Sequence, residues 1–345
     1  MGRLKELDVL KGLAITAVIA IHTTSDGLIK FDVSSYSYMV YLFINRLSQF
    51  AVPAFIFASS LLLSYVYRER FRTITIRHLK DFYLKRLMRI IPPYMSWTFI
   101  YLLTKYVITG GATPLTIHNY LKYIITGNGY YHLYFVIIIL QLYLFMPFIV
   151  FLISHVKIKF CHMLLISALI QILFYYVYQS YIVHYFQRSA VLVAWYILLV
   201  FTGSWIGINY EAYTRKEKYI ATCLPVAIVS GVSYIYLYHL LNLSIYVPLS
   251  VFNLVWYIYV TSAALSLLYI SKRLRIRSLE SAGRLSFGIY LIHPLLLSIM
   301  NGIYNTGNIM MYHLYTLFEF LTIYAVSYII TAALENTAWS KYIVG

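Results

Sequence analysis

The stretch Leu7–His22, LDVLKGLAITAVIAIH, decides how this chain is read. Its middle is apolar enough to enter a bilayer, yet Asp8 and Lys11 stand at one end and His22 at the other. Ionisable side chains inside a membrane span are costly and normally face a protein interior or a watery cavity. Arg3 and Lys5 ahead of an apolar run resemble the start of a signal peptide. Asp8 and Lys11 interrupt that run, however, and no small-x-small cleavage site closes it, so the segment reads as an uncleaved first transmembrane helix.

Composition extends this reading to the whole chain. Of 345 residues 61% are hydrophobic and only 11% charged, with a mean hydropathy of +0.75. A soluble domain carries about 25% charged residues. The chain is therefore expected to be an all-α integral membrane protein, its core a helix bundle in lipid. Apolar windows fall at about 9–25, 41–66, 90–109, 132–154, 160–182, 190–209, 219–240, 246–270, 285–304 and 311–334, about the length a bilayer requires. That predicts a bundle of about ten transmembrane helices. With the N-terminus inside, 22 of the 27 Lys and Arg fall on inner segments, and only Lys30, Arg46, Lys105, Lys122 and Arg188 fall outside. This bias places both termini in the cytoplasm and the protein in the plasma membrane as a multi-pass chain. It also accounts for the net charge of +16 without nucleic acid as a partner. No loop is long enough for a second soluble domain, so residues 1–345 are expected to form one transmembrane domain with no soluble extension. Cys161 and Cys223 read as small apolar residues, and most of the 38 tyrosines suit interfacial belts.

Lys11 and His22 are eleven residues apart, about three helical turns, which puts both on one face roughly 16 Å apart. Asp8 and Asp26 extend the same stripe. Lys11 could snorkel to lipid phosphates or serve a ligand. An imidazole set into a span points more firmly to a site.

The same residues carry a resemblance. LDVLKGLAITAVIAIH is similar to the opening motif of the membrane-bound acyltransferase-3 family: Leu-Asp, a basic residue with Gly, and a His eleven places after the basic residue. VPAFIFASSLLL resembles the family's second helix, with Ser59-Ser60 for the usual Ser-Gly. FYLKRLMRIIPPY carries its Arg-x-x-Arg as Arg86 and Arg89, before Pro92 and Pro93. YYHLYFVIIILQLYLFMPF resembles the His-Leu-Trp segment, with His132 in place and Tyr134 for Trp. SFGIYLIHPLLL matches Tyr-Leu-x-His-Pro through Tyr290, Leu291, His293 and Pro294. The motifs span nearly the whole chain in the family's order. Lys11 departs from the usual Arg and lacks its planar bidentate fork.

The resemblance implies a membrane acyltransferase. It would move an acyl group, usually acetyl, from acyl-CoA to a hydroxyl of a cell-surface polysaccharide or lipid-linked glycan precursor. Acyl-CoA (acetyl-CoA) is then the donor, and the partners are membrane lipids and the glycan or lipid-linked acceptor. No metal is expected. The CoA phosphates need cations on the inner face, and Lys11, Arg86 and Arg89 are the candidates; guanidinium groups suit phosphate oxygens. The pantetheine arm would run along the first helix to His22, the expected general base, since imidazole titrates near neutrality. His293 is either a second catalytic group or a strut between helices, with Tyr290 as its neighbour. His132 and Tyr134 are candidates for acceptor binding, and an ordinary interfacial role for His132 stands beside it. Glu319 either pairs with a buried base or faces a cavity. The rival reading is a transporter or exporter of a glycan or lipid-linked intermediate. Inverted repeats would favour it, and the sequence shows none. HExxH, G-x-S-x-G and P-loop motifs are also missing.

Overall fold

Apolar runs closed by capping residues become helices along this chain. The side chains of Ser35, Thr75 and Thr116 each accept a hydrogen bond from a backbone N–H three residues on, satisfying a donor that the first helical turn leaves open. In this computed structural model the described residues are 3–216, 221–274, 276–303 and 307–345, and every regular element among them is helical. In chain order the α-helices are α1 (Lys5–Ser25), α2 (Gly27–Lys30), α3 (Tyr36–Leu47), α4 (Ala51–Tyr67), α5 (Ile76–Ile108), α6 (Ile117–Thr126), α7 (Tyr134–His155) and α8 (Phe160–Ser180). They continue as α9 (Ile197–Ile208), α10 (Tyr210–Lys216), α11 (Cys223–Asn242), α12 (Leu249–Ser271), α13 (Arg277–Arg284), α14 (Ser286–Ile303), α15 (Ile309–Glu335) and α16 (Ser340–Ile343).

Among the described residues seven helical stretches are long and apolar enough to cross a membrane, or eight if the bent pair α13–α14 is one span. The expected window 90–109 falls on the second half of α5, where Pro92, Pro93 and Lys105 dilute the hydropathy. The window 190–209 falls on two short 3-10 turns, Ser189–Val191 and Val193–Tyr196, followed by α9. These two windows, with the bend before α14, separate the expected ten from the seven. Lys218 and Arg275, two cations expected on the inner side, lie outside the described residues.

The chain folds into two compact units. One comprises Gly2–Phe55 and Thr214–Ala332, the other Ile56–Tyr213 and Ala333–Gly345. In the first, α1 is central and packs against α3, α12, α13 and α14. It buries Leu10, Ala14, Ile15, Val18 and Ile19 on several sides, as a helix enclosed by others must. Two glycines permit its closest approach. A Cβ on Gly12 would collide with the Leu279 carbonyl oxygen, and one on Gly283 with that of Asp8. Small residues let membrane helices meet backbone to backbone. The last long helix, α15, turns inward a narrow stripe of Thr316, Glu319, Ile323, Ser327 and Thr331. His313 ties it to α3, its ring nitrogens 3.1 Å from the Ser37 hydroxyl and 2.9 Å from that of Tyr41.

In the second unit α5 is the long axis and α7 packs along it. The connection 67–91 contains a 3-10 turn, Arg70–Arg72, and then the charged first half of α5. Helix α6 folds back along α5. The Tyr94 hydroxyl donates to the Ile124 carbonyl at 2.7 Å, and the Tyr120 hydroxyl to that of Met95 at 3.1 Å. Gly127 ends α6 at φ 69°, the left-handed conformation that glycine adopts without strain.

Candidate active site

The spacing on α1 carries His22 three turns beyond Lys11, and the fold brings His293 to meet it. Helix α13 locks against the first turns of α1 through Gly283 and Gly12. The chain then bends by 81° into α14, which runs beside α1. The rings of His22 and His293 stack with centroids 5.3 Å apart and planes 29° apart. His293 is buried and His22 half-buried. His293 Nδ1 lies 3.2 Å from the Ile289 carbonyl oxygen. A carbonyl can only accept, so Nδ1 is the donor and Nε2 the acceptor of this imidazole. Tyr290, also buried, has its ring 6.1 Å from that of His293. Three residues named from two distant stretches of sequence thus form one cluster.

The acid and base at the start of α1 answer to each other. Asp8 is buried; Arg3 Nε donates to one of its carboxylate oxygens at 2.6 Å, and Lys11 Nζ lies 3.2 Å from the other. Asp26 is engaged by Asn301, whose Nδ2 donates to it at 3.1 Å. A cavity of about 480 Å³ opens beside the next turns of α1, walled by Ala20, Thr23, Tyr41, His313 and Thr316; His22 is not on its wall. Glu319 is buried, and its Oε1 has no hydrogen-bond partner among the described residues.

In the other unit the basic connection is partly neutralised. Arg68 makes two hydrogen bonds of 2.7 Å to the Glu211 carboxylate. Arg70 meets Asp81 at 2.5 Å, and Arg72 meets Glu69 at 3.4 Å. The hydrogen bond from Arg68 holds the Glu211 carboxyl below its usual range, and Arg70 does the same for Asp81. Arg86 differs. Its guanidinium donates to the Tyr67 hydroxyl at 3.3 Å and lies 5.3 Å from the centre of that ring, while its buried Nε has no hydrogen-bond partner among the described residues. Arg89, one turn on, is exposed. His132 is buried in an aromatic cluster, 5.1 Å from the Tyr101 ring and 5.6 Å from that of Tyr131. Tyr134, half-buried, opens α7 two residues later.

Sequence reasoning gave no site role to Tyr67, which bonds Arg86, nor to Asn128, on which the outer cations Lys105 and Arg188 converge. A signal for the last three was present: no Asp or Glu occurs between Asp81 and Glu211. Among the described residues no three His, Cys, Asp or Glu side chains cluster as metal ligands.

A helical bundle with several membrane-length apolar helices and a stacked pair of inward histidines defines a class, the multi-pass membrane proteins with an embedded polar site. The chain belongs to the acyltransferase-3 family, whose model, an acyltransferase domain, matches residues 4–342. Among curated proteins it is similar to the "Probable poly-beta-1,6-N-acetyl-D-glucosamine export protein" of Staphylococcus aureus strains MSSA476 and MRSA252. Each is 23% identical over 307 residues, covering 85% of this chain and 82% of the relative. No solved structure matches.

Proposed function

We propose that residues 1–345 act as one transmembrane acyltransferase domain, in the plasma membrane. It moves an acyl group, acetyl in the simplest case, from acyl-CoA to a hydroxyl of a cell-surface polysaccharide or its lipid-linked precursor. The stacked His22–His293 pair carries this reading. His22 is the general base. It removes the proton from the acceptor hydroxyl as that oxygen attacks the thioester carbonyl; the C–S bond breaks, and the His22 imidazolium returns the proton to the departing CoA sulfur. His293, its Nδ1 committed to the Ile289 carbonyl, positions the His22 ring by stacking. Arg86 and Arg89 receive the donor's phosphates; the buried Nε of Arg86 supports a ligand role. Lys11 is the third cation assigned to the donor, and its charge is shared with Asp8. His132, Tyr134 and Tyr290 are assigned to the acceptor. Membership of an acyltransferase family supports the reaction class.

The decisive experiment incubates inverted membrane vesicles with radiolabelled acetyl-CoA and follows label into glycan and lipid fractions. The expected result is covalent label, reduced by about 10²–10⁴-fold in His22→Ala at equal expression, the range for loss of a general base. Near wild-type labelling by His22→Ala would refute the assignment. Export is the second reading, because the Staphylococcus aureus relatives carry that name. It would be favoured if glycan crossed the vesicle membrane with no covalent label.

A further inference from the structure

The end of α6, from which the loop to α7 departs, lies far down the side of its unit. Tyr94, which bonds the end of α6, is 14 residues before the end of α5, or about 21 Å along its axis. Ile117, Leu121 and Ile125 of α6 form an exposed apolar stripe at helical spacing, as do Met95, Phe99 and Leu103 of α5. The pair therefore reads as a helix with a re-entrant arm. Non-helical backbone at membrane depth persists only where protein covers it or where it lines a polar cavity. The loop holds Gly127, Asn128, Gly129, Tyr130, Tyr131 and His132.

Two cations converge on it. Lys105 Nζ donates to the Asn128 carbonyl oxygen at 3.2 Å, and Arg188 donates to the Asn128 side-chain oxygen. Neither meets a carboxylate among the described residues, and the chain offers none from Phe82 to Tyr210. Cations that only served as interfacial anchors would reach for lipid headgroups. These two turn instead toward one neutral residue, Lys105 to its backbone carbonyl and Arg188 to its side chain, and meet no carboxylate there. Tyr130 stacks on Tyr101 with centroids 4.4 Å apart, and Tyr131, 4.8 Å from Tyr130, is 46% exposed. Exposed aromatic faces suit the C–H faces of a pyranose, and the two cations suit an oxyanion.

We propose that the Gly127–His132 loop, with Lys105 and Arg188, is a sugar-phosphate subsite that seats the glycosyl phosphate of a lipid-linked acceptor. The inference rests on the acceptor role given above to His132 and Tyr134. Arg188 and Lys105 hold the phosphate oxygens, Asn128 fixes the spacing of the two cations, and Tyr131 packs on the sugar.

The test uses the full chain purified in neutral detergent and no acyl donor, so a failure of the acyl-transfer reading leaves its outcome standing. Binding of glucose 1-phosphate, glucose and inorganic phosphate is measured by equilibrium dialysis. Glucose 1-phosphate should bind at least tenfold more tightly than either of the others. Arg188→Gln and Lys105→Met should each weaken it fivefold or more, while Arg188→Lys and Lys105→Arg, which keep the charge, should retain most of it. The inference is overturned if glucose binds as well as its phosphate, if inorganic phosphate binds as tightly as the phosphosugar, or if the neutral variants bind normally. It is also overturned if phosphatidylglycerol in mixed micelles abolishes phosphosugar binding, since bulk headgroups would then own the site.

Discussion

The start of α1 and the acid-free stretch from Phe82 to Tyr210 treat their charges in opposite ways. At the start of α1, Arg3 and Lys11 share the buried Asp8, one carboxylate answering two cations. From Phe82 to Tyr210 the other unit carries eight Lys and Arg and no acid at all. Its cations divide by position. Arg68, Arg70 and Arg72 are clasped by acids outside that stretch, whereas Arg86, Lys105 and Arg188 rest on a tyrosine or an asparagine. Burying an unpaired charge is costly unless something neutralises it, and Asp8, buried at the start of α1, is met by two cations from within the chain.

Three variants probe the contrast. The largest effect belongs to the backbone contact that seats α1. Gly283→Val would drive a side chain into the Asp8 carbonyl, and a loss of about 3 kcal/mol is expected, the upper end of overpacking. Thermal unfolding of the purified protein measures it, and an unchanged midpoint would mean that α13 does not seat α1. Next comes the pair itself. Asp8→Asn keeps the shape but removes the countercharge of Lys11 and Arg3, with an expected cost of about 1–3 kcal/mol. If the variant unfolds as wild type does, the α1 cations are as free as those on Asn128, and the comparison fails. The smallest effect is at the exposed clasp. Glu211→Gln should cost less than about 1 kcal/mol, since solvent screens such pairs. Arg68 lowers the folded carboxyl of Glu211, so its contribution is complete above the ordinary carboxylate range and fades as pH falls through the lowered value. A clasp that instead weakened on raising pH would contradict that sign.

Several features were legible from local pattern. The membrane class follows from composition, α1 from its apolar run and flanking charges, and the candidates His22, His293 and Tyr290 from spacing and motif. Others were hidden. The apolar window at 90–109 looks like a separate span, yet residues 76–108 form one continuous helix, because Pro92 and Pro93 do not interrupt it. Helix α6 falls between the expected windows, since its ten residues are too few to cross a membrane, and only its packing on Tyr94 and Met95 shows where it lies. Asp26, aligned with His22 on the stripe, is occupied by Asn301 from 275 positions away. No local rule foresees that.

The sequence by itself determined that this chain lives among lipid, where most of its long apolar helices fall, and which rare ionisable residues stand in them. Hydrophobic transfer and helical periodicity act over a few turns, so they are written in neighbouring residues. Tertiary structure alone decided the partners: that His22 meets His293, that Asp8 takes two cations, and that Lys105 and Arg188 meet at Asn128. Those encounters depend on close approaches such as Gly283 against α1, where the absence of one methyl group sets the distance between two helices far apart in the chain.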